Sequence, residues 1–271
     1  MRDRPETALK IRGLRAGYGT REILSGVDLD IRRGEVAALL GLNGSGKSTL
    51  LRAALGFLPV SGGSVTADGE NVFALSEWAR AGKMGYIPQR SRMDDGLSVL
   101  DAVLMGANAK MPFLAGYSAA QRARARDYLA QLGMSGYENR MIGTLSQGQR
   151  QLAVFARTMM QQPGVLLLDE PDSALDLPRR YEIMAHVRRM AENGAGALCV
   201  LHDASLALNT CDRVLILRGG RIVCALEMES ACEEAVRSAM ALLYGGVKVG
   251  QIDGGWAVLG GRSRSGDTYI G

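Results

Sequence analysis

Residues 41–49 read GLNGSGKST, and the reading of this stretch decides the fold. From Gly41 to Ser48 it satisfies in full the spacing of a glycine, four residues, a second glycine, lysine and a hydroxyl residue. Glycines let successive backbone N–H groups converge on phosphate oxygens, so Gly41, Leu42, Asn43, Gly44, Ser45, Gly46, Lys47, Ser48 and Thr49 form the expected cradle. Lys47 is spaced to reach the outer phosphate oxygens of a nucleoside triphosphate, and the Ser48 hydroxyl to ligate Mg2+. Both flanks comply. Upstream, EVAALLGL (35–42) is a continuous apolar run, as in a strand covered on both faces. Downstream, STLLRAALGFL (48–58) puts Leu50, Leu51, Ala54, Leu55 and Leu58 on one helical stripe, which Pro59 is expected to end. A phosphate loop between a strand and a helix predicts an α/β fold.

About a hundred residues later, LSQGQRQ (145–151) reads as another helix start, with Ser146 as the cap and Gln149 closing a capping box. A capped helix N-terminus is itself an anion site, through its dipole and its free N–H groups. One chain therefore carries two candidate phosphate sites.

Composition limits the answer. The 271 residues, 47% hydrophobic and 22% charged, are ordinary for a soluble globular protein. The longest apolar runs, VAALLGL (36–42) and VLLL (165–168), fall short of a membrane span. The opening MRDRPETALKIRG lacks the apolar core of a secretory signal, so a cytosolic chain is expected. Cys199, Cys211, Cys224 and Cys232 show no zinc or redox spacing and read as reduced small hydrophobes. The net charge of +4 is thin for a nucleic-acid partner. Its densest basic run, Arg122, Arg124 and Arg126, reads as a solvated helix face, so no nucleic acid is expected.

Along the chain, ALKIRGLRAGYG and REILSGVDLDIRRG alternate as antiparallel strands do. Residues of about 92–161 carry three helical patterns and hardly a strand signal, an all-helical insertion. GVLLLDE, a helix around 178–192, GALCVLHD, a helix near 204–209 and RVLILRGGRIV then restore the alternation of a mostly parallel sheet. The main nucleotide-binding domain is expected to span 1–240. The extension 241–271 holds a hairpin about Asp253-Gly254, then a loose tail beyond Gly260.

VLLLDE (165–170) supplies two acids at a strand end: Asp169 suits a magnesium-shell carboxylate, and Glu170 a group that orients the attacking water. His202 follows the strand GALCVL at its carboxyl end, where ligands gather in α/β sheets, and can reach a phosphate or the water. His186, in YEIMAHVRRM, sits among helix-surface residues and is assigned no role. Tyr18, in GYG, can stack on adenine.

Together these motifs resemble the ATP-binding cassette ATPases, the nucleotide-binding subunits of ABC transporters, over about residues 8–226. In the family's order stand the aromatic loop at Tyr18, Walker A at 41–48, Gln89 in GYIPQ, the signature at 145–149, Walker B at 165–170, SALD at 173–176 and the switch His202. The resemblance implies ATP and Mg2+ as ligands, with Gln89 sensing metal and water, Glu170 as the catalytic carboxylate and Asp176 bridging two subunits. It also implies that Ser146, Gly148 and Gln149 bind the γ-phosphate held by another subunit's Walker A loop. A homodimer with two composite sites would then explain the second anion site. Three residues depart from the family pattern: Gln147, Asp172 and Leu201. At the first helical position Gln147 should point outward and leave the N–H groups of Gly148 and Gln149 free, with slower or altered hydrolysis.

Repair ATPases are disfavoured because no heptads separate Lys47 from Ser146, and two-cassette translation factors because one cassette is present. A P-loop kinase or GTPase would leave LSQGQ and SALD unexplained. VLMG (103–106), RQLAVFAR, SALDL and the tail LYGGVKVGQIDGGWAVL resemble importers of iron-siderophores, haem and cobalamin, although Ala107 replaces their arginine. That resemblance implies transmembrane permease subunits, a periplasmic or extracellular substrate-binding protein, and a place at the cytoplasmic face of the membrane. A metal ion or molybdate is the alternative cargo.

Overall fold

The computed structural model describes residues 6–89, 93–111, 116–173 and 175–260. Strands Thr7–Tyr18 (β1) and Arg21–Arg32 (β2) pair antiparallel, as their alternation requires. Val36–Leu40 (β3) and Lys47–Ala54 (α1) then bracket the phosphate loop. Val60–Ala67 (β4) joins the free edge of β1 and Glu70–Asn71 (β5) follows, completing a sheet of order β2-β1-β4-β5. Helix Glu77–Lys83 (α2) leads to Met84–Ile87 (β6).

The helical layer comprises Val99–Leu104 (α3), Ala119–Gln131 (α4) and Gln147–Gln161 (α5). After it come Val165–Asp169 (β7), Leu177–Glu192 (α6), Gly196–Val200 (β8), Ala204–Thr210 (α7), and the antiparallel pair Arg213–Arg218 (β9) and Arg221–Glu227 (β10). The main sheet runs β10-β9-β3-β8-β7-β6, parallel except for β10.

The continuous apolar runs at β3, β7 and β8 are buried throughout, because both faces of this sheet are covered. Alternation divides them. Val36, Ala38 and Leu40 join Leu166 and Leu168 in a core shared with the helical layer, whereas Ala37 and Leu39 pack with Leu50 and Leu51 of α1 beneath the antiparallel sheet.

Helix α1 stops at Ala54, short of the expected end at Pro59. Gly56 takes φ +70 and its N–H, with that of Phe57, closes on the carbonyls of Ala53 and Arg52, a glycine-terminated end that the hydrophobic stripe concealed. Leu58 still packs against the same core. Glu233–Ala241 (α8) and α2 were not anticipated.

Lys248–Ile252 (β11) and Gly255–Leu259 (β12) form the hairpin, with Asp253 and Gly254 at φ +48 and +81 as a two-residue primed turn requires. Asn209 of α7 clamps it, donating to the Trp256 carbonyl at 2.8 Å and accepting its N–H at 2.7 Å. The tail beyond Gly260 and the start of the helical insertion near 92 lie outside the described residues.

Cys199 and Cys211 are buried, and burial pushes the Cys211 thiol up to about 12. Cys232 is exposed and does not behave as a core hydrophobe. Arg122, Arg124 and Arg126 are all exposed. Among the described residues, no helix is long and apolar enough to cross a membrane.

Candidate functional site

The loop between β3 and α1 is built for glycine. A Cβ on Gly41 would lie 2.6 Å from both the Leu217 carbonyl oxygen and Ser45 Oγ, and Gly44 and Gly46 take φ +77 and +104. Lys47 is 6% exposed, and its Nζ donates to the carbonyls of Gly41 at 2.7 Å and Leu42 at 3.2 Å. Burial lowers its pKa, against the opposing fields of Glu170 and Asp169.

Strand β7 ends in Asp169, whose Oδ1 accepts from Ser48 Oγ at 3.0 Å. Burial raises the Asp169 pKa, and the Ser48 hydrogen bond works against that shift. Glu170 then turns into the left-handed region at φ +53, an unusual state for a glutamate, while its N–H stays tied to the Val200 carbonyl of β8. The turn carries its carboxylate between two donors: His202 Nε2 at 2.5 Å from Oε1, and Gln89 Nε2 on Oε2. Gln89, Glu170 and His202, drawn from three separate segments, thus share one carboxylate beside the Lys47–Ser48–Asp169 group.

Tyr18 is 48% exposed at the end of β1. Two residues missed from sequence stand beside it: the Arg52 guanidinium, whose pKa is raised by its interactions with Tyr18 first and then Tyr86, and Tyr86, whose hydroxyl donates to Asp169 Oδ2 at 3.5 Å. Burial first, then the Asp169 charge, pushes the Tyr86 phenol up to about 12. The signal available for Arg52 was its position one turn after Ser48, polar within an apolar stripe.

At the signature, Ser146 Oγ accepts the Gln149 N–H at 3.3 Å and Gln149 Oε1 accepts the Ser146 N–H at 3.0 Å, the reciprocal box expected. This corrects one expectation. The Gln149 N–H is taken by the cap, and among the described residues it is Gln147 and Gly148 whose N–H groups have no acceptor. The Gln147 side chain is exposed, as expected.

Ser146, Gly148 and Gln149 open onto a cavity of about 440 Å³, completed by Tyr137, Asp176 and Arg179. No residue of the phosphate loop lines it. Asp176 caps α6 through the Arg179 N–H at 3.2 Å. Arg180 donates to the Leu175 carbonyl at 3.0 Å and lies 3.8 Å from Asp203 Oδ2, the cap of α7 next to His202. Of SALD, Ala174 lies outside the described residues.

Asp172 is buried with Oδ1 unpartnered, and burial raises its pKa. His186 also departs from expectation. It is buried, not on the surface, its ring 6.1 Å from that of Phe155.

The ABC transporter family model matches residues 24–173. The chain belongs to the ABC transporter family. It is 36% identical over 238 residues to the hemin import ATP-binding protein HmuV of Deinococcus radiodurans, covering 86% of this chain and 89% of that protein. It is 35% identical over 248 residues to the phosphonates import ATP-binding protein PhnC of Frankia casuarinae, covering 88% and 96%. A solved dimeric bacterial ABC transporter cassette superposes with a TM-score of 0.74 at 26% identity, covering 81% of this chain and 98% of that one. The chain is thus an ABC cassette ATPase, in which ATP hydrolysis is coupled to transport.

Proposed function

We propose that this cassette is the ATP-hydrolysing subunit of an importer for a metal chelate such as an iron-siderophore, haem or cobalamin, working as a homodimer with two composite ATP sites. One observation carries the dimer: the signature cavity contains no phosphate-loop residue, which supports ATP on Lys47 of one chain meeting the signature of a second. The dimeric cassette of similar fold supports it.

The residues fit ATP and Mg2+. The cradle admits only glycine, its lysine is buried, and the Ser48 and Asp169 oxygens are the hard donors magnesium takes. When bound by Ser48, Asp169 and Gln89, Mg2+ supplies charge neutralisation at the phosphate oxygens. Lys47 exchanges its carbonyl partners for the β- and γ-oxygens. Glu170 orients the attacking water and accepts its proton. His202 and Gln89 hold that carboxylate, each on one oxygen. Tyr18, braced by Arg52, stacks on adenine. Ser146 and the N–H groups of Gln147 and Gly148 in the second copy meet the γ-phosphate, and Asp176 sits at the junction.

A segment around 89–113, of which 90–92 and 112–113 lie outside the described residues, docks a cytoplasmic helix of the permease, which is served in turn by a periplasmic or extracellular binding protein. The subunit then lies at the cytoplasmic face of the membrane. The hemin-import relative supports the chelate cargo; the phosphonate-import relative favours a second reading, a phosphonate. Deletion of the gene should abolish uptake of haem or a ferric chelate; loss of phosphonate uptake alone would select the second reading. The dimer is tested by mixing Lys47→Ala and Ser146→Arg chains, each inactive alone. Their heterodimer has one intact site and should regain ATP trapping. No trapping, with chain exchange shown by tagged pull-down, would refute the sandwich.

A further inference from the structure

We propose that the cavity between the amino-terminal edge of the main sheet and the helical layer is a second, non-catalytic site, taking a small organic polyanion that carries phosphate or carboxylate groups beside an apolar portion. The cavity measures about 970 Å³, in the range of small-molecule sites. It is distinct from the ATP site: no phosphate-loop, signature or Glu170 residue lines it.

Its charge is one-sided. Arg33, Lys83, Lys110 and Arg189 line it against the single carboxylate of Asp68. Arg33 pairs with Asp68, Lys83 with Glu70 at 3.0 Å, and Lys110 donates to the Gln162 carbonyl at 2.7 Å. Arg189 is exposed and has no ion-pair partner among the described residues. The deepest polar group is His186, 7% exposed, with Nδ1 buried and without a hydrogen-bond partner. Burial, then Arg189, lowers its pKa against the backbone of Gln131 and the charge of Glu182. Tyr128, Met159, Pro163 and Met190 give the same cavity an apolar wall.

A simpler account is that the cations complement helix C-termini, since Lys83 and Arg189 sit in last turns. It covers those two but not an opening of this size, nor the unpartnered nitrogen of His186. The walls come from both the sheet side, through Arg33, Asp68 and α6, and the helical layer, through Lys110, Tyr128 and Gln131. Helix α5 joins the two sites, starting at the signature and ending beside Gln162 in this wall. An anion bound here would therefore clamp the far end of the helix that presents Ser146.

The chain has only two histidines, so imidazole resonances separate the two sites directly. Histidine-labelled protein, with ADP in excess and no divalent cation, is titrated with sodium pyrophosphate and, in a second arm, with citrate. The His186 signals should shift saturably with one or both probes while those of His202 stay. Saturation by pyrophosphate assigns the phosphate class and by citrate the carboxylate class. Arg189→Glu, at an exposed position, should weaken that binding at least about tenfold without changing ADP affinity. Arg122→Glu, outside the cavity, should leave it unchanged. Absence of a saturable His186 shift at millimolar probe, or a shift unaltered by Arg189→Glu, would overturn the site. ADP affinity measured alongside keeps this outcome separate from any failure of the ATPase reading.

Discussion

Glu170→Gln isolates the chemistry from the binding, because the substitution keeps the side chain's size and changes only what its oxygens can do. In the native site each carboxylate oxygen accepts one donor, His202 on Oε1 and Gln89 on Oε2. A glutamine offers one acceptor, so one donor faces an amide N–H; leaving it unsatisfied costs about 1–3 kcal/mol. Removing a negative charge held next to Asp169 offsets part of that, so the expected change in folding stability is about 1 kcal/mol. Catalysis should suffer more. Loss of the group that orients and deprotonates water costs about 10²–10⁴-fold, which is roughly 3–5 kcal/mol of barrier. Lys47 and the loop are untouched, so ATP affinity should stay within about threefold, or about 0.7 kcal/mol. Phosphate release at saturating ATP gives the first quantity, on the cassette alone and in complex with its permease. Equilibrium binding of a fluorescent ATP analogue gives the second, and a melting curve the third. Turnover within about tenfold of wild type, in a protein of normal stability, would refute the role assigned to Glu170. A parallel fall in ATP binding would show that the carboxylate acts through the loop and not on water.

Four further substitutions have outcomes set by the packing. Gly106→Ala would place a Cβ 2.0 Å from the Arg157 carbonyl oxygen, so unfolding in urea should show a loss of about 1–3 kcal/mol or more. Gly116→Ala, with nothing within 4 Å, should change stability by less than about 0.5 kcal/mol. His186→Leu should flatten the acid limb of stability: the folded-state pKa lies below the ordinary 6.5, so the histidine's contribution is present above that value and is lost as pH falls through the folded one. Urea unfolding at about pH 7.5 and about pH 5.5 measures it, and an unchanged difference between the two would contradict the assignment. Ser146→Ala should cost about 1 kcal/mol through the lost cap yet retain partial ATP-driven dimerisation, since the N–H groups of Gln147 and Gly148 survive; sedimentation in ATP reads this, and complete loss would place recognition on the hydroxyl.

The phosphate loop was legible because its glycines, lysine and serine are fixed by local geometry, and β3 and β7 because a strand buried on both faces is apolar throughout. The capping box at Ser146 was legible in kind but not in consequence. Sequence reading left the Gln149 N–H free, and only the geometry shows that the cap consumes it. His186 could have been placed correctly: it lies three residues after Ile183, which with Met184 and Val187 forms the buried face of α6. Reading it as polar overrode the period. Arg52 and Arg180 act across separate segments, Tyr18 with Tyr86 and Leu175 with Asp203, and no spacing along the chain encodes such pairs.

The capping box also bears on how selectively this protein could be inhibited. Ser146 and Gln149 engage each other, and the Gln149 amide reaches out to the Tyr137 hydroxyl at 3.2 Å, so the free peptide donor that lines the signature cavity is the N–H of Gly148. Peptide groups are the same in every chain with such a helix start, and a compound that mimics phosphate there would inhibit all of them alike. Selectivity for this cassette must come from the side-chain part of the lining, from Tyr137 and Arg179, where side chains rather than backbone meet the ligand.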